Sequence, residues 1–418
     1  MAKRLRHSIF VLLLLQGGQN LSSLILLPLL TRALGAKGYG ELGFCIAFIG
    51  YFVLFVEWGF GLGASQQIAI HREDKHKRSQ IFWDVFASKF FLACIGAVVL
   101  FIATYFFAIV RPHSLLLWLV YLSVIAMVFA PSFYYQGMEK LEGMFLINLV
   151  IRFASLPIIF LLVKDINDIA WAIGIQSGGL LLAALVNFIV LLQSGSLIWI
   201  RPSKDGVIHS LKSNFPLFLS SASMGVFASS VIVILGLVSG SLAVGYFVGA
   251  LNLIKAGQGL LAPLSQVMFP RLSHLFNHAR DEAIAALKKV FLLQSGITLS
   301  MTVVAFTLAP IILPILMGQG FDHSVFVFQL LTPLFFLGAL TNLLGQQAMI
   351  PLGFHDAYTR VVVLGSIVGL VLVGILGYLY SSTGAAVSLV LAELLMVLVM
   401  ASYLRKTDPK LMDALKIE

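Results

Sequence analysis

Apolar runs of about twenty residues recur along the whole chain, separated by short polar punctuation, and none alternates with period two. Runs that stay apolar on every face predict helices surrounded by hydrocarbon, because about 20 residues rising 1.5 Å each cross a bilayer core and barrel strands would alternate. Twelve spans are expected, near 8–30, 42–69, 83–110, 114–135, 144–163, 168–194, 215–238, 243–268, 291–315, 325–351, 361–380 and 384–404. The first run, Ile9 to Leu30, follows Lys3, Arg4 and Arg6 as in a secretory signal. Its length, its polar Gln16 to Asn20 stretch and the lack of a small-residue exit predict a retained helix instead.

The connections are short. The longest, Leu197 to Asn214 and Arg271 to Val290, are too small to fold alone, and the second has the apolar spacing of an interfacial amphipathic helix. A shift of 205 residues lays Gly35 and Gly40 on Gly240 and Gly245, and a shift of 216 lays Gly137 on Gly353. The matches predict two six-span lobes of like orientation: an N-lobe at 1–200, a cytoplasmic linker at 201–214 and a C-lobe at 215–418.

Composition sharpens this picture. With 60% hydrophobic and 11% charged residues in 418, the chain has too little polar side chain to cover a water-soluble globule. The fold class is therefore all-α and polytopic. The net charge of +9 is distributed by topology and does not point to nucleic acid. With the N-terminus inside, 22 of 27 Lys and Arg fall on the cytoplasmic side, including Lys89, four on the outer side, and Lys255 alone deep in a span. That bias predicts both termini in the cytoplasm.

Enzymatic signatures are missing from the sequence: there is no P-loop, no G-x-S-x-G elbow and no H-E-x-x-H. His274 and His278 are four apart without a third ligand, Cys45 and Cys94 sit in apolar runs, and Gly59-Phe60-Gly61-Leu62-Gly63 suits close helix packing. No cofactor is expected.

Ionisable and amide groups inside the spans remain. A charge at mid-span costs about 2.5 to 3.5 kcal/mol on insertion scales, so it wants a partner or a wet cavity. Glu57, Lys255 and Glu393 are such residues, with Arg152 nearer the inner face and Arg32 at an outer turn. Glu57 reads either as a pair buried between helices or as a cavity-lining acid, the latter being preferred; Lys255, near Asn252 and Gln258, reads the same two ways. Amides at Gln16, Gln19, Asn20, Asn148, Asn187, Asn342, Gln346 and Gln347 add candidates for lining water.

The pattern Pro28-Leu-Leu-Thr31-Arg32-Ala-Leu34-Gly35, then Tyr39-Gly40 and Glu57-Trp58-Gly59-Phe60, resembles the N-terminal pattern of Wzx-type O-antigen and polysaccharide flippases. These belong to the multidrug, oligosaccharidyl-lipid and polysaccharide exporter superfamily. The resemblance implies a MATE-like pair of lobes around a central cationic cavity in a bacterial inner membrane. It further implies an undecaprenyl-diphosphate-linked glycan as cargo, flipped from the cytoplasmic to the periplasmic leaflet, with a polysaccharide polymerase and a chain-length regulator as partners. Lys255 and Arg32 would then serve the diphosphate, and Arg152, Glu57, Asn148, Asn252, Gln258, Asn342, Gln346 and Glu393 would line the cavity. Coupling to a proton or sodium gradient through Glu57 or Glu393 is left open. Two rivals stand beside this reading: an ion-coupled multidrug or metabolite antiporter of the same superfamily, and a membrane polymerase or glycosyltransferase.

Overall fold

The computed structural model describes residues 2–414, with side chains outside the described set at 2–16, 19, 20, 220, 223, 224, 262–264, 266, 267 and 277. The amide candidates Gln16, Gln19 and Asn20 fall in that excluded set. Among the described residues the structure is helical with turns and no strand. Among the described residues nine helices are long and apolar enough to cross a membrane. Three of these continue through a single non-helical residue, Gly35 (φ 63°, ψ 179°), Gly240 (φ 78°, ψ 175°) or Ser381 (φ 56°, ψ −137°). Divided there, nine become twelve, the number the hydropathy pattern predicts. Gly35 and Gly240, paired by the 205-residue shift, take nearly the same left-handed backbone, which glycine adopts without a Cβ penalty.

The chain forms two compact units, Met1–Val233 and Ile234–Glu418. The first holds α1 (Ala2–Glu57), α2 (Phe60–Ile70), α3 (Lys75–Phe106), α4 (Ser114–Phe129), α5 (Ser132–Gly137), α6 (Leu141–Leu162), α7 (Ile169–Gln193) and the first half of α8 (Lys204–Gly259). Two of its spans are broken. Trp58 and Gly59 turn with positive φ between α1 and α2, and Ala130-Pro131 separates α4 from α5, since proline lacks an N–H and biases its predecessor away from helix. An aromatic core joins these pieces: Phe82 stacks on Phe133 at 5.6 Å, and Phe86 on Phe188 at 5.3 Å.

The loop before α8 is shorter than the polar stretch Leu197 to Asn214 suggests, because helix begins at Lys204. It is pinned to α3. Trp83 Nε1 donates to Ile198 O at 2.9 Å, Ile198 N to Ser79 Oγ at 3.1 Å, and Ser203 N to Asp84 Oδ1 at 3.2 Å. Farther along, Trp58 Nε1 donates to Leu211 O at 3.0 Å and its ring stacks on Phe218 at 4.3 Å. Gly59 and Gly63 permit this approach, since a Cβ on either would meet α8 atoms within 3 Å.

The second unit contains the rest of α8, α9 (Ala262–His278), α10 (Arg280–Met317), α11 (Asp322–Leu331), α12 (Pro333–Thr341), a π-helical segment (Asn342–Met349), α13 (His355–Thr407) and α14 (Pro409–Ala414). Leu272, Leu287, Leu343, Met349, Met400, Leu404 and Leu411 form a buried cluster where α9, α10, the π segment, α13 and α14 converge. The surface helix expected over Arg271 to Val290 is corrected here. Its first part closes α9, and from Arg280 the chain already belongs to the long spanning helix α10, whose Ala283, Leu287 and Val290 are buried.

Candidate functional site

The first unit encloses a cavity of about 500 Å³, walled mainly by apolar side chains of α1, α4, α6 and α7. Polar groups enter from four helices, α4, α5, α6 and α7. Arg152, twelfth of the 22 residues of α6, projects into it and donates from Nη2 to Ser23 Oγ of α1 at 2.7 Å. Asn148 lies one turn earlier on the same face, and its Oδ1 accepts from Asn187 Nδ2 of α7 at 2.9 Å. Asn187 itself is buried behind the cavity wall, and its Oδ1 has no partner among the described residues. Gln176, Ser123 and Ser155 complete a polar strip against Leu26, Val53, Met127 and Leu156. An apolar chamber with one guanidinium and several amides can hold a group that is both anionic and hydroxyl-rich.

Beside this chamber is a charge that sequence reasoning placed elsewhere. Lys89, assigned to the cytoplasmic side, is fully buried in α3, so Lys255 is not the sole deep cation. Its Nζ donates to Glu57 Oε2 at 3.1 Å, while the Glu57 carboxylate stays one-quarter exposed. Lys89 lies six residues inside the span expected at 83–110, but it closes a basic series with Arg72, Lys75, Lys77 and Arg78 and was therefore counted with the cytoplasmic charges. The available signal was Glu57 itself, since a carboxylate so deep calls for a cation.

The remaining candidates divide by unit. Arg32 is exposed in α1. In the second unit, Asn252 and Lys255 are exposed on α8, and among the described residues Lys255 makes no hydrogen bond or ion pair. One turn on, Gln258 Nε2 donates to Leu334 O at 3.0 Å. Gln258 and Glu393 both face Gly338, where an added Cβ would lie 2.9 Å from the amide nitrogen and 4.0 Å from Oε1 of the acid. Asn342 and Gln346 meet each other, Nδ2 to Oε1 at 2.9 Å, while Asn342 Oδ1 accepts from Ser265 Oγ at 2.9 Å and Gln347 Nε2 at 2.8 Å. This network occupies the π segment, a wider turn found often where helices carry function.

The family model for "Polysaccharide biosynthesis protein" matches residues 5–276. The chain belongs to that family. A relative in Escherichia coli (strain K12), named "Putative O-antigen transporter", is 31% identical over 401 residues, covering 96% of this chain and 97% of the relative. A protein of the same name in Shigella dysenteriae is 27% identical over 404 residues, covering 95% and 99%. Among solved structures, an inward-facing MATE family multidrug transporter superposes with TM-score 0.74 at 14% identity, covering 94% of this chain and 96% of that one. The lipid II flippase MurJ in an inward closed conformation gives 0.71 at 16%, covering 94% and 87%. These two share its fold. The family member described here is thus a multi-pass membrane transporter and not an enzyme, which sets aside the polymerase and glycosyltransferase reading.

Proposed function

We propose that this protein flips an undecaprenyl-diphosphate-linked oligosaccharide, a repeat unit of O-antigen or another surface glycan, from the cytoplasmic to the periplasmic leaflet by alternating access. The observation that carries the reading is the chamber of the first unit, where Arg152 and the Asn148–Asn187 pair stand in apolar walls. A diphosphate pairs with guanidinium, sugar hydroxyls pair with amides, and both gain from the low dielectric around them. The relatives' names support the same cargo class. The bias of Lys and Arg supports a bacterial inner membrane location with cytoplasmic termini. An inside-negative potential favours outward passage of each negative charge by about 2.3 kcal/mol per 100 mV. Glu393, set among Gln258 and Thr341, is the group we assign to any coupling with a proton or sodium gradient. A polymerase and a chain-length regulator would receive the flipped unit.

The test is a strain lacking this gene. Lipid-linked repeat units held in the cytoplasmic leaflet, lost surface glycan and unchanged susceptibility to cationic drugs are expected. Intact surface glycan with new drug sensitivity would replace this reading by the multidrug antiporter.

A further inference from the structure

Lys89 and Glu57 meet where two spans are broken, and each supplies a hydrogen bond that a break has removed. In α4 the carbonyl of Met127 would accept from the N–H four residues on, but that residue is Pro131, which has none. The Lys89 ammonium stands 3.5 Å from this carbonyl. In α2 the N–H of Gly61 lies in the unsatisfied first turn, and Glu57 Oε1 accepts from it at 2.7 Å. Cation thus faces a helix C-terminus and anion a helix N-terminus, the polarity that the helix dipoles favour. The rings of Phe133 and Phe60, at 5.3 and 6.0 Å from Nζ, enclose the ammonium. Met127, Ala130, Pro131 and Ser132, the residues around the α4 break, also wall the chamber.

We propose that the Glu57–Lys89 pair is a positioning device: it joins the broken ends of α2 and α4 and thereby sets the chamber wall, without touching cargo. Lys89, fully buried, presents nothing to a ligand. The inference concerns the chamber assigned to cargo above, but its geometry can be tested whatever that cargo is.

A neutral pair that keeps both backbone hydrogen bonds should suffice, whereas a charge swap should not. In Glu57→Gln with Lys89→Gln, the first amide still accepts from Gly61, and the second donates to Met127 once α3 closes the one-bond difference in length between glutamine and lysine. In Glu57→Lys with Lys89→Glu, an ammonium meets an N–H and a carboxylate meets a carbonyl. Each pair would be combined with Cys94→Ser and a reporter, Ser132→Cys, labelled by a water-soluble maleimide. Membrane abundance and surface glycan would be read in parallel. The expected result is normal abundance, labelling rate and glycan for the neutral pair, with altered labelling and lost glycan for the swap. A swap that restores all three would overturn the proposal, because a bare ion pair would then be enough. A neutral pair that fails in abundance, or is abundant and normally labelled yet exports nothing, would overturn it too. Labelling does not depend on the cargo, so a wrong cargo assignment would leave that arm intact.

Discussion

The two units handle charge inside the membrane differently. The first pairs a deep acid with a deep base, Glu57 with Lys89 at 3.1 Å, and completes two helix ends with them, while its other deep cation, Arg152, meets only the Ser23 hydroxyl among the described residues. The second leaves Lys255 exposed without an ion pair among the described residues, and sets Glu393 among an amide and a hydroxyl. A buried pair is costly to break because removing one partner strands the other, while a charge held without a counter-ion keeps its field for whatever enters. Depth in a span, then, does not separate architecture from function; partnership does.

The contrast breaks most visibly at the two lysines. Lys89→Met strands Glu57 and should destabilise the fold by about 3 kcal/mol, read as a lowered thermal midpoint in detergent. Lys255→Met should leave stability within about 0.5 kcal/mol while lowering glycan export; equal loss of stability in both would erase the distinction. Next in size, Arg152→Ala removes a charge-assisted contact in the chamber and should slow export about tenfold at unchanged abundance. Arg152→Lys should recover part of that loss.

A smaller effect is expected at Glu393. Its conversion to Gln should preserve abundance and abolish any response of flipping in vesicles to an imposed pH or sodium gradient. A response that survives would remove Glu393 from coupling. Smallest is the tie between loops at the edge of the first unit. Arg72 donates to Glu139 at 3.0 Å and to Gly137 O at 2.9 Å, and its hydrogen bond and charge hold the Glu139 carboxyl below the ordinary glutamate value. A depressed carboxyl stabilises the fold above its unfolded pKa, and the contribution fades as pH falls through the folded one. Glu139→Gln should therefore lower stability slightly at neutral pH, flatten its fall in acid, and change nothing below the folded pKa; the effect is small because both groups reach solvent.

Much of the fold was legible because hydrocarbon imposes a simple rule, a score of apolar residues per crossing, and the twelve spans follow from it. The glycine correspondence was legible too: Gly35 and Gly240 needed the same rare backbone, so the same residue stands at both. What escaped depended on three-dimensional partnership. Glu57 was visible as a buried acid, but Lys89 stands beside a charged segment and counts as surface until α3 is seen to carry it inward. Arg152 and Asn148 were visible as polar residues in an apolar run, yet only the packing of α1, α4, α6 and α7 shows that both enter one chamber. The π segment had no local signal at all, being a matter of one extra residue in a turn.

The corners at Gly35 and Gly240 change helix direction at a single residue. Such a corner contains no loop. Each of these elbows offers no slack for a protease to cleave and no protruding epitope for an antibody to grip. Tags or sugars inserted there should be tolerated far less well than in the stretch between α7 and α8.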